Sequence, residues 1–276
     1  MIKENKNSIR IGKAIIALYF IVLIVSIFWT PYDPNKVDTS MKLLHPSLSH
    51  PFGTDNMGRD ILSRLMEGSK YALILSFGTV ALALFLGIII GASAGYFGGA
   101  VDEILMRFID SLMAFPGILF AMMLVTVFGA GIINTILAIG IMSVPYFARV
   151  VRSGFLQVKN SQFVKSAVVK GASPIYIAVN HILPNIKNQL MVAIILSVSQ
   201  AILSEAGLSY LGLGVRPPNP SWGRMLKESQ AYFSQAPHYF LFTGICLSLV
   251  VLGFTLYGEK YRSERLREKA QRWKKY

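Results

Sequence analysis

Apolar residues in this chain gather into six long runs separated by stretches rich in Gly, Pro and charge: Ile11–Trp29, Leu73–Tyr96, Leu112–Phe128, Ile132–Ala148, Gln189–Ser204 and Tyr239–Tyr257. Crossing the hydrocarbon of a bilayer takes roughly 20 residues of helix, rising about 1.5 Å each, and every run is near that length. The pattern predicts an all-α polytopic membrane protein with six transmembrane helices. It divides the chain into an N-terminal tail (1–10), a transmembrane domain (11–257) with long connections at 30–70, 149–187 and 205–238, and a basic tail (258–276).

Charge orients this arrangement. The chain has 276 residues, 53% of them hydrophobic, and a formal charge of +13. Lys and Arg near span ends mark the cytoplasmic side, while acids carry little weight. Starting the alternation from a cytoplasmic N-terminus puts nineteen of the 27 Lys and Arg on one side, including six from Arg149 to Lys187 and eight from Lys260 to Lys275. Both termini are therefore expected in the cytoplasm. Nucleic-acid binding would also explain a basic chain, but not bilayer-length apolar runs.

Lys and Arg before the first run resemble a secretory signal. The run is too long for one, however, and Trp29-Thr30-Pro31-Tyr32-Asp33-Pro34 stands where a small-residue cleavage site belongs, so the span is expected to be retained. The single Cys246 lies within the last run, where it packs as a small apolar residue. In the second run Gly87, Gly91 and Gly95 share one helix face, which lets a neighbouring backbone approach closely; internal packing is favoured over a subunit contact. Tyr96-Phe97-Gly98-Gly99 closes the run with a turn. A charge at the centre of a span costs about 2.5 to 3.5 kcal/mol. Asp110 is the sole candidate, and its place one turn after Arg107 suggests an interfacial pair.

Catalytic patterns are missing from the sequence. It has no His-Glu-x-x-His helix and no phosphate-binding loop, and His45, His50, His181 and His238 are scattered outside the runs. No metal site and no cofactor is expected, and any nucleotide would be bound by another chain. Importer subunit, passive channel, and scaffold or membrane enzyme remain as readings. Neither filter-like charged rings nor a polar cluster supports the last two.

The most informative connection is Phe163–Pro184, FVKSAVVKGASPIYIAVNHILP. Phe163, Val164, Ala167 and Val168 oppose Lys165, Ser166 and Lys170 at helical spacing. Gly171-Ala172-Ser173-Pro174 then interrupts: glycine supplies a break, Ser173 an N-cap, and Pro174 fits a first helical turn. Two short helices meeting at a protruding corner are predicted, followed by Ile175 and, later, Leu183-Pro184.

These residues resemble the cytoplasmic loop of ABC-importer permeases, where a Glu-Ala-Ala triplet precedes a glycine and a later Leu-Pro pair. Ala167 matches the last alanine, Gly171 the glycine, and Leu183 and Pro184 the pair; Lys165 and Ser166 replace the glutamate and first alanine. His50–Asp55 with Gly58–Arg64, and Leu208–Val215 with Pro217, Pro218 and Pro220–Gly223, are similar to external regions of the second permease in dipeptide, oligopeptide and nickel importers. Gly207 stands where alanine is usual there, and Arg216 where glutamine is common.

The resemblance implies a type I ABC-importer permease fold in the bacterial cytoplasmic membrane. It also implies a second permease, two ATPase subunits that bind ATP and Mg, and an external solute-binding protein. The corner would couple to an ATPase. The external segments either cap the bundle or seat the binding protein, with Arg59, Asp60, Arg216 and Trp222 as candidate contacts. Di- or oligopeptides are the expected cargo, with nickel or a metal chelate as the alternative.

Overall fold

The computed structural model describes residues 6–273, with side chains over residues 10–259; Lys3 and the side chains of the tail lie outside the described residues. The chain forms α1 (Lys6–Phe28), α2 (Ile61–Phe97), α3 (Gly99–Met113), α4 (Gly117–Phe128), α5 (Ile132–Val158) and α6 (Gln162–Val169). There follow α7 (Pro174–Ile177), a π-helical turn (Ala178–Ile182), α8 (Leu183–Tyr210), α9 (Trp222–Gln230) and α10 (Pro237–Trp273). Among the described residues, five helical stretches are long and apolar enough to cross a bilayer, and α3 with α4 makes a sixth if counted as one bent span. Among the described residues, strand pairing is limited to one bridge, Thr54 with Asp60.

Five of the six expected spans are single helices and the third is a bent pair, with three outlines redrawn. The third is not a straight helix over Leu112–Phe128: α3 and α4 meet at 83° across Ala114-Phe115-Pro116. Pro116 cannot donate an N–H and disfavours helical geometry in Phe115, which stops α3. The second begins at Ile61 rather than Leu73, because Asp60 caps it, its carboxylate accepting from Ser63 N at 2.8 Å. The second helix of the corner is not short. From Pro174 it continues through the π turn to Tyr210, 37 residues in all. Pro184 sits inside this helix, where its ring would crowd the carbonyl of Asn180, and the wider turn at Ala178–Ile182 accommodates it.

Helix packing follows the small residues. A Cβ on Gly87 would lie 2.4 Å from Phe147 Cβ, on Gly91 2.4 Å from the Ala148 carbonyl oxygen, and on Gly95 2.6 Å from Phe155 Cβ. The glycine ridge of α2 thus presses directly on α5, the internal contact predicted. Where lipid replaces water, such close backbone approach supplies the packing that hydrophobicity supplies in soluble proteins.

Ion pairs brace the end of the bundle that carries the basic connection, here the basic end. Arg152 on α5 grips Asp102 on α3 with two bonds of 2.5 and 2.6 Å, and Arg149 reaches Asp110 at 2.6 Å. Asp110 therefore pairs across helices, whereas Arg107 bonds Glu103 on its own helix. Lys159 donates to the carbonyls of Gly95 and Tyr96 at 3.1 and 3.3 Å, capping the negative end of α2.

Candidate functional site

At the basic end α5, α6 and α7 turn back on themselves and form a corner. The turn that ends α6 is a Schellman motif: Gly171 N donates to the Val168 carbonyl at 2.9 Å and Ala172 N to the Ala167 carbonyl at 3.1 Å. Such a motif needs a left-handed residue, and Gly171 has φ +77°. Ser173 Oγ then accepts from Tyr176 N at 3.3 Å and Pro174 opens the next helix, so both cap assignments match the geometry.

One side of the corner is packed. Val164, Ala167, Ile177, Ile182 and Ile186 form a cluster with Val151 and Phe155 of α5. Its other side is open and also apolar: Val169 is 87% exposed, Ile175 77%, and Phe163, Val168, Tyr176 and Val179 are exposed beside them. Lys165 and Lys170 flank this patch, and Ser166 is exposed as well. The face predicted from spacing is thus split. Val164 and Ala167 turn inward, whereas Phe163 and Val168 turn outward because a helix of eight residues offers the bundle only a narrow stripe. Val169, Tyr176 and Val179 were absent from the sequence-derived set, although the unbroken Ala167-Val168-Val169 run was its available signal. A group of exposed apolar side chains flanked by lysines has the character of a protein interface. Leu183 is half-buried against the cluster and Pro184 is exposed, so the pair shapes the helix rather than the corner surface.

The four candidate contacts at the opposite, loop-bearing end divide differently. Trp222 is 2% exposed, Asp60 2% and Arg59 6%. These three are interior groups and offer no surface to a partner. Trp222 Nε1 donates to the Leu65 carbonyl at 3.0 Å, and its ring lies over Gly68, where a Cβ would come within 2.9 Å. Asp60 bonds Ser63 and His50 Nδ1, the latter at 2.9 Å. Arg59 bridges Asp55 at 2.6 Å and Glu228 at 3.2 Å, tying the 30–60 segment to α9. Arg216 alone is exposed, lying over Gly129 just past the end of α4.

The sequence reading overlooked the residues that hold this end together. Glu205, fully enclosed on α8, accepts from Ser209 Oγ at 2.5 Å and Ser221 Oγ at 3.0 Å, pinning the 211–221 loop. A Cβ on Gly223 would lie 2.0 Å from the Ala206 carbonyl oxygen, so α9 abuts α8 backbone to backbone. The glycines and serines of the family-like segments thus serve close packing.

Residues 83–259 match the family described as binding-protein-dependent transport system inner membrane component. The nickel transport system permease protein NikC of Escherichia coli strain K12 is 36% identical over 259 residues, 94% of each chain. The dipeptide transport system permease protein DppC of Alkalihalophilus pseudofirmus is 37% identical over 261 residues, 95% of this chain and 86% of the relative. The glutathione transport system permease protein GsiD of Pectobacterium atrosepticum is 38% identical over 263 residues, 93% and 87% of the two chains. A solved structure of the MetNI methionine ABC transporter in an inward-facing conformation covers 74% of this chain and 97% of its own. Its TM-score is 0.61 at 15% identity, a likeness of fold.

Proposed function

The chain belongs to the family of binding-protein-dependent transport system inner membrane components, and from that premise we propose that it forms half of a translocation pathway for small peptides. A second permease completes the pathway, two ATPase subunits carry ATP and Mg, and a solute-binding protein delivers cargo from outside. The chain itself contributes no catalytic group. The corner around Lys165–Ile175 lies in the cytoplasm, where one ATPase receives the patch of Phe163, Val168, Val169, Ile175 and Tyr176. Closure of the nucleotide-loaded ATPases then rocks the spans between inward- and outward-facing states.

The observation that carries this reading is the exposed apolar corner on a fixed Schellman turn. Cargo follows from relatives. Two of the three named above carry peptides, dipeptide and glutathione; nickel or its chelate is the second reading, favoured by the Escherichia coli relative. Competition of labelled dipeptide uptake by unlabelled peptide against nickel separates the two.

Gly171→Pro removes the 2.9 Å bond to Val168 and cannot hold φ +77°. It should abolish uptake and free ATPase activity from stimulation by the binding protein while leaving the chain in the membrane. Gly171→Ala finds open space for its methyl and meets only backbone strain, about 1 kcal/mol, so uptake should be reduced rather than lost. Normal coupled uptake by the proline variant would overturn the assignment.

A further inference from the structure

Two glycines pinch α1 against α10. A Cβ on Gly12 would lie 3.0 Å from Leu256 Cβ, and one on Gly253 2.8 Å from Ile15 Cγ2. Beyond this pinch, toward the loop-bearing end, a groove of about 280 Å³ lies between α1, the first turns of α2, and α10. Phe52 and Phe242 stack across its upper end with ring centroids 4.2 Å apart. Its floor is closed by buried Met66, Ser69 and Trp222, while Leu18, Ile245 and Leu249 on the rim are 59%, 52% and 42% exposed. The mouth therefore opens sideways, out of the bundle, between two bilayer-length helices.

Chemistry narrows the occupant. The hydroxyl and indole groups that line the groove spend their hydrogens on backbone: Tyr19 donates to the Ser69 carbonyl at 3.0 Å, Ser69 to that of Met66 at 2.6 Å, and Trp222 to that of Leu65 at 3.0 Å. Nothing there rewards a polar ligand, and water in so apolar a cavity would lack partners. A helix of a second permease fits poorly as well. Helices join in lipid across small residues, as at the α2–α5 ridge, whereas this rim is built of Leu and Ile. From Phe242 to Val250 the groove follows α10 for about 12 Å, a length suited to a slender flexible chain.

We propose that this groove is a binding site for one acyl chain of a bilayer phospholipid, held between α1 and α10 on the loop side of the membrane. The chain completes the packing of α1, which meets the bundle chiefly along this wall.

The test uses the complete transporter reconstituted in phosphatidylethanolamine and phosphatidylglycerol vesicles containing a phosphatidylethanolamine with a diazirine at one acyl end. After illumination, mass spectrometry should place several-fold more adducts on peptides bearing Tyr19–Val22 and Ile245–Leu249 than on the exposed apolar surface around Ile133. Cys246→Trp, which fills the groove, should remove that excess and leave adducts near Ile133 unchanged. Equal labelling of groove and Ile133 in the unmodified transporter, or no labelling of the groove, would overturn the site without recourse to the variant. Uptake and ATPase activity, scored separately, decide the importer reading, so the two fail independently.

Discussion

Trp222 shows how one residue type supports two opposite readings. A Trp among prolines and glycines in an external loop suits an interface, and only the fold reveals that the indole closes the floor between α2 and α9. Removing it should lower stability by about 3 to 5 kcal/mol, the range for a buried Trp→Ala change. Arg216→Ala on the exposed loop should stay within about 0.5 kcal/mol. Thermal unfolding of the two purified variants in detergent checks this, and comparable losses would mean that the indole is not a core group. Gly171 and Ser173, by contrast, were legible from sequence, because a left-handed break and an N-cap are local requirements that few residue types meet. Arg59 and Asp60 were not, since their partners Glu228 and His50 are chosen by tertiary packing.

Among the elements, the apolar runs disclosed where the bundle crosses but not where helices stop. The amphipathic α3 escaped notice because Asp102, Glu103, Arg107 and Asp110 lower its apolar content, although the first and last of these face α5 arginines. Helix α6 was anticipated from its helical spacing and α7 from the Ser173 cap; the continuation of α7 into α8 was not, because Pro184 reads as a stop unless a widened turn precedes it. The α3–α5 contact makes a quantitative prediction. A double-mutant cycle of Asp102→Ala and Arg152→Ala should give a coupling of about 1 kcal/mol, appropriate to a partly exposed two-bond pair. Asp110 and Arg107, which do not pair, should show essentially none in the same unfolding assay.

On the scale of the whole molecule, the lopsided distribution of Lys and Arg predicts which end meets the cytoplasm. In a Cys246→Ala background, Leu48→Cys sits at a fully exposed loop tip and should react with a membrane-impermeant maleimide on intact cells. Lys170→Cys, beside the corner, should react only after the membrane is opened. The reverse pattern would invert the assignment of sides and remove the corner from the ATPases. Such asymmetry was readable because charge placement needs no three-dimensional partner, whereas the Asp55–Arg59–Glu228 bridge that unites loop and bundle spans distant parts of the chain. The 37-residue rod from Pro174 to Tyr210 adds a mechanical consequence. It is about 55 Å long, begins at the outward-facing Ile175 and ends on the carboxylate pin of Glu205. Its one joint, the π turn, lies within two turns of Ile175, so beyond it a single helix from Leu183 to Tyr210 ties the basic end of the bundle to the loop-bearing end without a relay of loops.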